Sequence, residues 1–278
     1  MSDTSLQPAL YFFCIGGQKT GTTLLARLLD GFPQVACIWE SYAINPRHNT
    51  SILHPDSLNR IRHGFELAFI KDLRAFWQLD TRDYFFDIEH RYRSFSHTMP
   101  QLLNDFARRN GATIVGDKWP WYIRHLKALL QTFPDAKLIH TMRDPRAIWN
   151  SAQRFLARER GDVVLWEIME LEKMLESYNL ANNRLLTVRY EDILADPITT
   201  LTSIGHFLHV PVTMSAAAAI IQSNSTDPRW SWVPEAMTPV TASHGEKWKM
   251  QMPRERILWV QQTAAWLFQK YEYSFDLL

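Results

Sequence analysis

Apolar residues fall in short unbroken runs, and longer amphipathic stretches separate them. Leu10–Ile15 is a continuous apolar run closed by glycines, which predicts a strand buried on both faces of a parallel sheet. Thr22–Leu29 continues with helix formers and stops at Asp30-Gly31, a helix end. Further strands are predicted over 35–38, over 113–115 (closed by Gly116-Asp117), over 137–141 and over Leu185–Arg189. Helices are predicted over 122–131, over 145–157 with proline in the first turn, and over 162–180, 197–208 and 254–271. Strands alternating with helices predict an α/β, three-layer P-loop-like fold with a mostly parallel sheet flanked by helices.

Two stretches break the alternation. Residues 41–110 lack a clear strand and mix aromatics with Arg, His and Asp, which predicts a mainly helical insertion after the second strand. Residues 223–252 carry Asp227-Pro228, Trp230, Trp232, Pro234, Pro239 and Gly245, a long irregular segment of the kind that serves as a lid or binding loop. There is no internal repeat, low-complexity tract or linker, so residues 1–278 are expected to form a single domain.

Charge and cysteine content narrow the function classes. A net charge of +1 leaves no global field for nucleic acid or an anionic membrane, so neither is expected as a partner. Cys14 and Cys37 both lie in apolar runs and read as buried thiols. The run from Ala9 to Ile15 is too short to span a membrane, and it has no basic segment or cleavage site beside it. The expectation is a cytoplasmic protein without stable membrane insertion. Nothing in the sequence reports oligomeric state.

The loop after the first strand is the main candidate for chemistry. A strand, a glycine turn and a helix N-terminus together make an anion site from backbone N–H groups and the helix dipole. Gly16 and Gly21 have the spacing of a nucleotide-binding loop, and Thr23 has its hydroxyl, but Thr22 stands where the lysine belongs. The lysine is Lys19, three residues earlier. Thr20, Thr22 and Thr23 add hydroxyl donors. Such a loop suits a phosphate or sulfate group; an ordinary tight turn is the alternative.

A second cluster follows the fourth predicted strand. Arg143 stands at its carboxyl end, where open α/β sheets bind ligands, and Ser151 lies eight residues later in the next helix. A guanidinium and a hydroxyl from adjoining elements can share one phosphate. Alternatively, Arg143 and Asp144 form a capping and salt-bridge pair.

Together these stretches resemble the sulfotransferase superfamily that uses 3′-phosphoadenylyl sulfate (PAPS). Gln18-Lys19-Thr20-Gly21-Thr22-Thr23 matches the family loop P-[KR]-[ST]-G-[TS]-[TS], in which the lysine precedes the glycine. The resemblance implies that this loop binds the 5′-phosphosulfate and that Lys19 lies by the bridging oxygen and sulfuryl group. It implies that Arg143 and Ser151 bind the 3′-phosphate, and that Tyr190, in Tyr190-Glu191-Asp192, lies near the adenine.

Within the superfamily the sequence is similar to the tyrosylprotein and glycan branch. There a His-Pro-x-Val turn follows the first helix and leads to a glutamate base; here Phe32 takes the histidine position and Glu40 falls where the base falls. Gly116-Asp117-Lys118-Trp119-Pro120 resembles the branch's Gly-Glu-Lys-Thr-Pro, which implies that Lys118 lies near the transferred group. The alternatives are a helix-cap role for Glu40 and a solvated lysine at 118. One element departs from the pattern. Trp248-Lys249 fits the family's late segment, but no Arg-Lys-Gly precedes it, which leaves Lys247 as the candidate for the 3′-phosphate clamp.

The resemblance implies PAPS as co-substrate and an acceptor bearing a hydroxyl, whether a small metabolite, a glycan or a lipid. Lys19, Glu40 and Lys118 are its candidate catalytic residues. No metal is implied, and no cluster in the sequence has metal-ligand spacing. The rival is a P-loop kinase or nucleotidase using ATP and Mg²⁺, in which the aspartate ending the apolar run at Asp117 would help hold the metal.

Overall fold

A computed structural model describes residues 8–41, 95–154, 160–222, 240–241 and 243–275. Five parallel strands form one sheet: β1 (Leu10–Ile15), β2 (Val35–Trp39), β3 (Ile114–Lys118), β4 (Lys137–Met142) and β5 (Leu185–Arg189), in the spatial order β2-β3-β1-β4-β5. β1 is central because it can be: Phe12, Phe13, Cys14 and Ile15 are all fully buried, and a strand covered on both faces must be apolar on both. It pairs with β3, Cys14 opposite Lys118, and with β4, Ile15 opposite His140. The register brings the carboxyl ends of β1, β2, β3 and β4 to one edge.

Helices cover both faces. α1 (Thr22–Leu29) follows the glycine loop and buries Leu25, Leu28 and Leu29 in the main core. α2 (Phe95–Arg109) packs against β2 and β3, so the described part of the expected insertion is helical; 42–94 lie outside the described residues. A 3₁₀ turn over Pro120–His125 leads into α3 (Leu126–Thr132), so the helix expected over 122–131 is two short elements. The turn puts the Tyr122 ring edge-on to Phe13, with centroids 5.2 Å apart.

α4 (Pro145–Arg154) and α5 (Gly161–Ser177) pack together on the β4 side of the sheet. After β5 come α6 (Tyr190–Ala195), α7 (Pro197–Phe207) and α8 (Met214–Gln222). A second core joins α4 and α5 to α9 (Ser243–Gln251), α10 (Arg254–Thr263) and α11 (Ala265–Lys270) through Ile148, Leu165, Trp248, Val260 and Phe268. The helix expected over 254–271 therefore breaks at Ala264. The segment expected to be irregular over 223–252 is helical from 243 onward, because Trp248 and Met252 bury one of its faces. Residues 223–239, with Trp230 and Trp232, lie outside the described part of the chain. Both cysteines are free and buried, as expected.

A buried polar cluster ties β4 to these C-terminal helices. His140 Nε2 lies 2.8 Å from Glu172 Oε1, Lys270 Nζ donates to Glu172 Oε2 at 3.1 Å, and the Tyr271 hydroxyl donates to the same oxygen. Burial pushes the Glu172 carboxyl up, but His140, Tyr271 and Lys270 outweigh it and hold its pKa down at about 2. Among the described residues no helix is long and apolar enough to cross a membrane.

Candidate active site

The glycine loop turns sharply between β1 and α1. Lys19 takes a left-handed backbone, φ 67°, and Gly21 has φ 104°. Gly21 is needed twice over: few side chains tolerate that φ, and a Cβ there would come within 2.5 Å of the Tyr190 ring. Thr20 is buried; its hydroxyl donates to Gly17 O at 2.9 Å and lies 3.0 Å from Thr141 Oγ1. Its side chain thus braces the loop against β4, and only its backbone N–H is left to serve a ligand. Thr22 is buried as well, whereas Gln18, Lys19 and Thr23 are half-buried. Gly21, the N-cap of α1, has no side chain to cap it, which leaves the first N–H groups with the partial positive charge of a helix N-terminus.

Tyr190 joins the two sequence clusters. It starts α6 directly after β5; its ring packs on Gly21, and the Arg143 guanidinium lies 4.2 Å from its centroid. The glycine loop and Arg143, more than a hundred residues apart, are therefore neighbours across one aromatic ring. The described bonds of the Asp144 side chain go to Arg146. Arg146 lies 3.0 Å from that carboxylate through Nε and 2.7 Å through Nη2, while the Arg143 guanidinium lies over Tyr190. Glu191 Oε1 accepts the Asp144 N–H at 3.0 Å and fixes the turn that carries Arg143. Burial raises the Glu191 pKa, and the Asp144 N–H opposes that shift.

Ser151 lies half-buried in α4. The neighbouring Asn150 donates to Gln251 Oε1 at 2.8 Å, Arg154 donates to Gln251 O at 3.1 Å, and Arg146 stacks 4.0 Å from the Trp248 ring centroid. These contacts dock α9 along α4. Lys247 on α9 is exposed, and no described contact ties it to Arg143 or Ser151.

The third part of the site lies at the ends of β2 and β3. Lys118 is the last residue of β3, which runs through Gly116 and Asp117 and does not close at 115 as expected. Its side chain is 1% exposed, and its Nζ donates to Glu40 Oε1 at 2.6 Å and to Thr23 Oγ1 at 3.4 Å. It is therefore not a solvated lysine after a strand, and Glu40 is not an exposed cap. A buried ammonium needs a close counter-charge, and Glu40 supplies it. Glu40 has a left-handed backbone, φ 55°, and its N–H donates to Lys118 O at 2.8 Å. Thr23 on α1, Glu40 past β2 and Lys118 on β3 thus converge beside the glycine loop.

Asp117 points away from this cluster. Its carboxylate is buried and takes hydrogen bonds from Ser41 N–H, Ser41 Oγ and the Tyr122 hydroxyl. Burial raises its pKa to about 6, against the lowering effect of those hydrogen bonds and of Lys118. The carboxylate is committed to the protein and is not presented to a metal–nucleotide. Sequence reasoning missed the Ser41–Asp117–Tyr122 cluster and the roles of Glu191 and Arg146. No local signal marked that cluster, since the apolar run stops at Val115 and Gly116-Asp117-Lys118 is polar in sequence although buried in the sheet.

A search among curated proteins by sequence finds no match. The chain resembles the solved sulfotransferase domain from the Synechococcus PCC 7002 olefin synthase, with a TM-score of 0.58 and 19% identity over 95% of this chain and 98% of that one. It resembles the sulfotransferase domain from the curacin biosynthetic pathway to a similar degree, with a TM-score of 0.59 and 17% identity over 94% and 99%. Sulfotransferase STF9 from Mycobacterium avium follows with a TM-score of 0.51 and 18% identity over 98% and 78%. At such identities the shared property is the fold. A family model described as "Sulfotransferase family" matches residues 12–214, which include the glycine loop, Glu40, Lys118, Arg143, Ser151 and Tyr190. The chain belongs to the sulfotransferase family.

Proposed function

We propose that the protein moves a sulfuryl group from PAPS to a hydroxyl of a small metabolite, glycan or lipid, with Glu40 as general base. The observation that carries this reading is the Glu40–Lys118–Thr23 cluster beside an uncapped helix N-terminus. The donor fits the residues present. Gln18 to Thr23 offer the backbone N–H groups of a glycine cradle to the 5′-phosphosulfate, and Arg143 with Ser151 offers a guanidinium and a hydroxyl to the 3′-phosphate. Tyr190 supplies an aromatic face at the same place.

PAPS supplies an activated sulfuryl group whose departing bisphosphate gains negative charge. The protein's part is placement and charge stabilisation. Lys19 and the loop N–H groups stabilise the leaving oxygen, Lys118 balances charge on the sulfuryl oxygens, and Glu40 takes the acceptor proton as its oxygen attacks sulfur. Lys247 is the candidate for a late contact to the 3′-phosphate, and its exposure leaves it available. The site residues need no metal for this scheme. The similarity of the Glu40 and Lys118 segments to the tyrosylprotein and glycan branch favours an oxygen acceptor.

Two measurements test the reading. Transfer of labelled sulfate from PAPS over a panel of phenols, alcohols and sugars is expected to proceed with EDTA present; metal-dependent consumption of ATP would point to a kinase instead. Adenosine 3′,5′-bisphosphate at about 100 times its Kd is expected to stabilise the fold by about 2.7 kcal/mol, and ADP or ATP by less. Arg143→Ala should abolish that preference for a 3′-phosphate. If it weakens all the nucleotides equally, Arg143 serves the fold alone.

A further inference from the structure

We infer that Asp117 is a positioning residue for Glu40, acting through Ser41. Successive residues of a strand point to opposite faces, and β3 uses this to grip two successive residues of the segment that follows β2. On one face Lys118 holds the Glu40 carboxylate. On the other, Asp117 holds Ser41 three ways: the Ser41 N–H lies 3.3 Å from each carboxylate oxygen, and the Ser41 hydroxyl donates to Oδ2. The strand register permits both grips, since Ile38 lies opposite Asp117 and Trp39 opposite Lys118.

Residue 40 requires such a grip. Its φ of 55° is uncommon for a residue with a side chain, and a backbone of that kind persists only where the surroundings over-determine it. Here its own N–H is fixed by Lys118 O at 2.8 Å, and the residue after it is fixed by Asp117. Met99 of α2 closes the other side of Ser41, with its sulfur 3.8 Å from the hydroxyl. Tyr122 orients the carboxylate from the remaining direction by donating to the same Oδ2. Asp117 touches neither donor nor acceptor in this arrangement; it fixes the direction in which Glu40 leaves β2. Its catalytic meaning rests on Glu40 as the base proposed above.

Ser41→Ala and Tyr122→Phe separate this role from mere stability. Each deletes one hydrogen bond to the same Asp117 oxygen, but only Ser41 is bonded to residue 40. The first readout is the side-chain carboxyl resonance of Glu40 in ¹³C-glutamate-labelled protein, identified as the signal missing from Glu40→Gln. It is expected to shift or broaden in Ser41→Ala and to stay in place in Tyr122→Phe. The second is transfer from PAPS to a mixed pool of phenol, alcohol and sugar acceptors. Ser41→Ala is expected to lower kcat about tenfold with bisphosphate binding unchanged, the usual scale for a slightly misplaced reacting group, and Tyr122→Phe to change it less than about twofold. An unmoved Glu40 resonance in Ser41→Ala, or equal effects of the two variants, overturns the inference. Wild-type transfer by Glu40→Gln overturns the base assignment instead, while the resonance still decides whether Asp117 places Glu40.

Discussion

Glu40→Gln is expected to lower sulfuryl transfer by about 10²–10⁴, the range for a positioned acid–base group, while leaving donor binding intact. The amide keeps the shape of the side chain and can still accept a hydrogen bond from Lys118, now at 2.6 Å from the carboxylate. It cannot take a proton. Lys19→Ala should act differently. In the proposed scheme it removes positive charge at the leaving oxygen, so donor use is expected to fall along with turnover. The check is kcat measured beside bisphosphate affinity in both variants, with folding confirmed by circular dichroism. Wild-type turnover in Glu40→Gln would move the base elsewhere. His97, exposed on α2, is one candidate; the carboxylates within 42–94 lie outside the described residues.

The second large effect concerns acid. The Glu172 pKa is held at about 2, below its ordinary 4.5. A carboxylate with a depressed folded-state pKa contributes stability that is complete above the unfolded value and is lost as pH falls through the folded one. Glu172 should therefore stabilise the fold above about pH 4.5 and lose that contribution between about pH 4.5 and 2. Asp117 has the opposite sign. Its pKa is raised to about 6, so the folded state binds its proton more tightly, and stability from this group falls as pH rises from about 4 to 6. Urea unfolding from pH 2 to 7 resolves the two windows. Glu172→Gln is expected to flatten the acid limb and leave the slope between pH 4 and 6 in place. An acid limb unchanged in that variant would assign it to other carboxylates.

What could be read beforehand follows the range of the interactions. β1, the glycine loop and α1 are contiguous, so a continuous apolar run, two glycines and a helical stretch suffice to place Lys19 and Thr23 at a helix N-terminus. Arg143 is equally local, one residue past β4. The meeting of Gly21 with Tyr190, and of Tyr190 with Arg143, depends on the order of strands, which no local pattern encodes. The same is true of Ser41 and Asp117, which are 76 residues apart. The end of β3 was misplaced because Gly116-Asp117 is a turn signal in isolation. In the sheet, burial and the bonds from Ser41 and Tyr122 override it. The helical character of 243–251 was hidden by the weak periodicity of Ser-His-Gly-Glu-Lys-Trp-Lys. Packing against α4 fixes that helix, with Trp248 stacked on Arg146.

The central place of β1 has a consequence for synthesis. β1 ends at Ile15, yet both of its partners come far later, ending at Lys118 and Met142. At a translation rate of about 5–20 residues per second, its apolar LYFFCI segment waits roughly 6–25 s before β4 has been made. Pairing between such distant segments is slow even once the chain is whole, because a long loop must close before any contact rewards it. During that interval the chain carries an unpaired, β-prone hexapeptide without a charge, the kind of segment that aggregates. The strand that leads into the glycine loop is thus also the one that most needs shielding on the ribosome, and yields of soluble protein should respond to chaperone supply and to slower growth more than to changes at the sheet's edge.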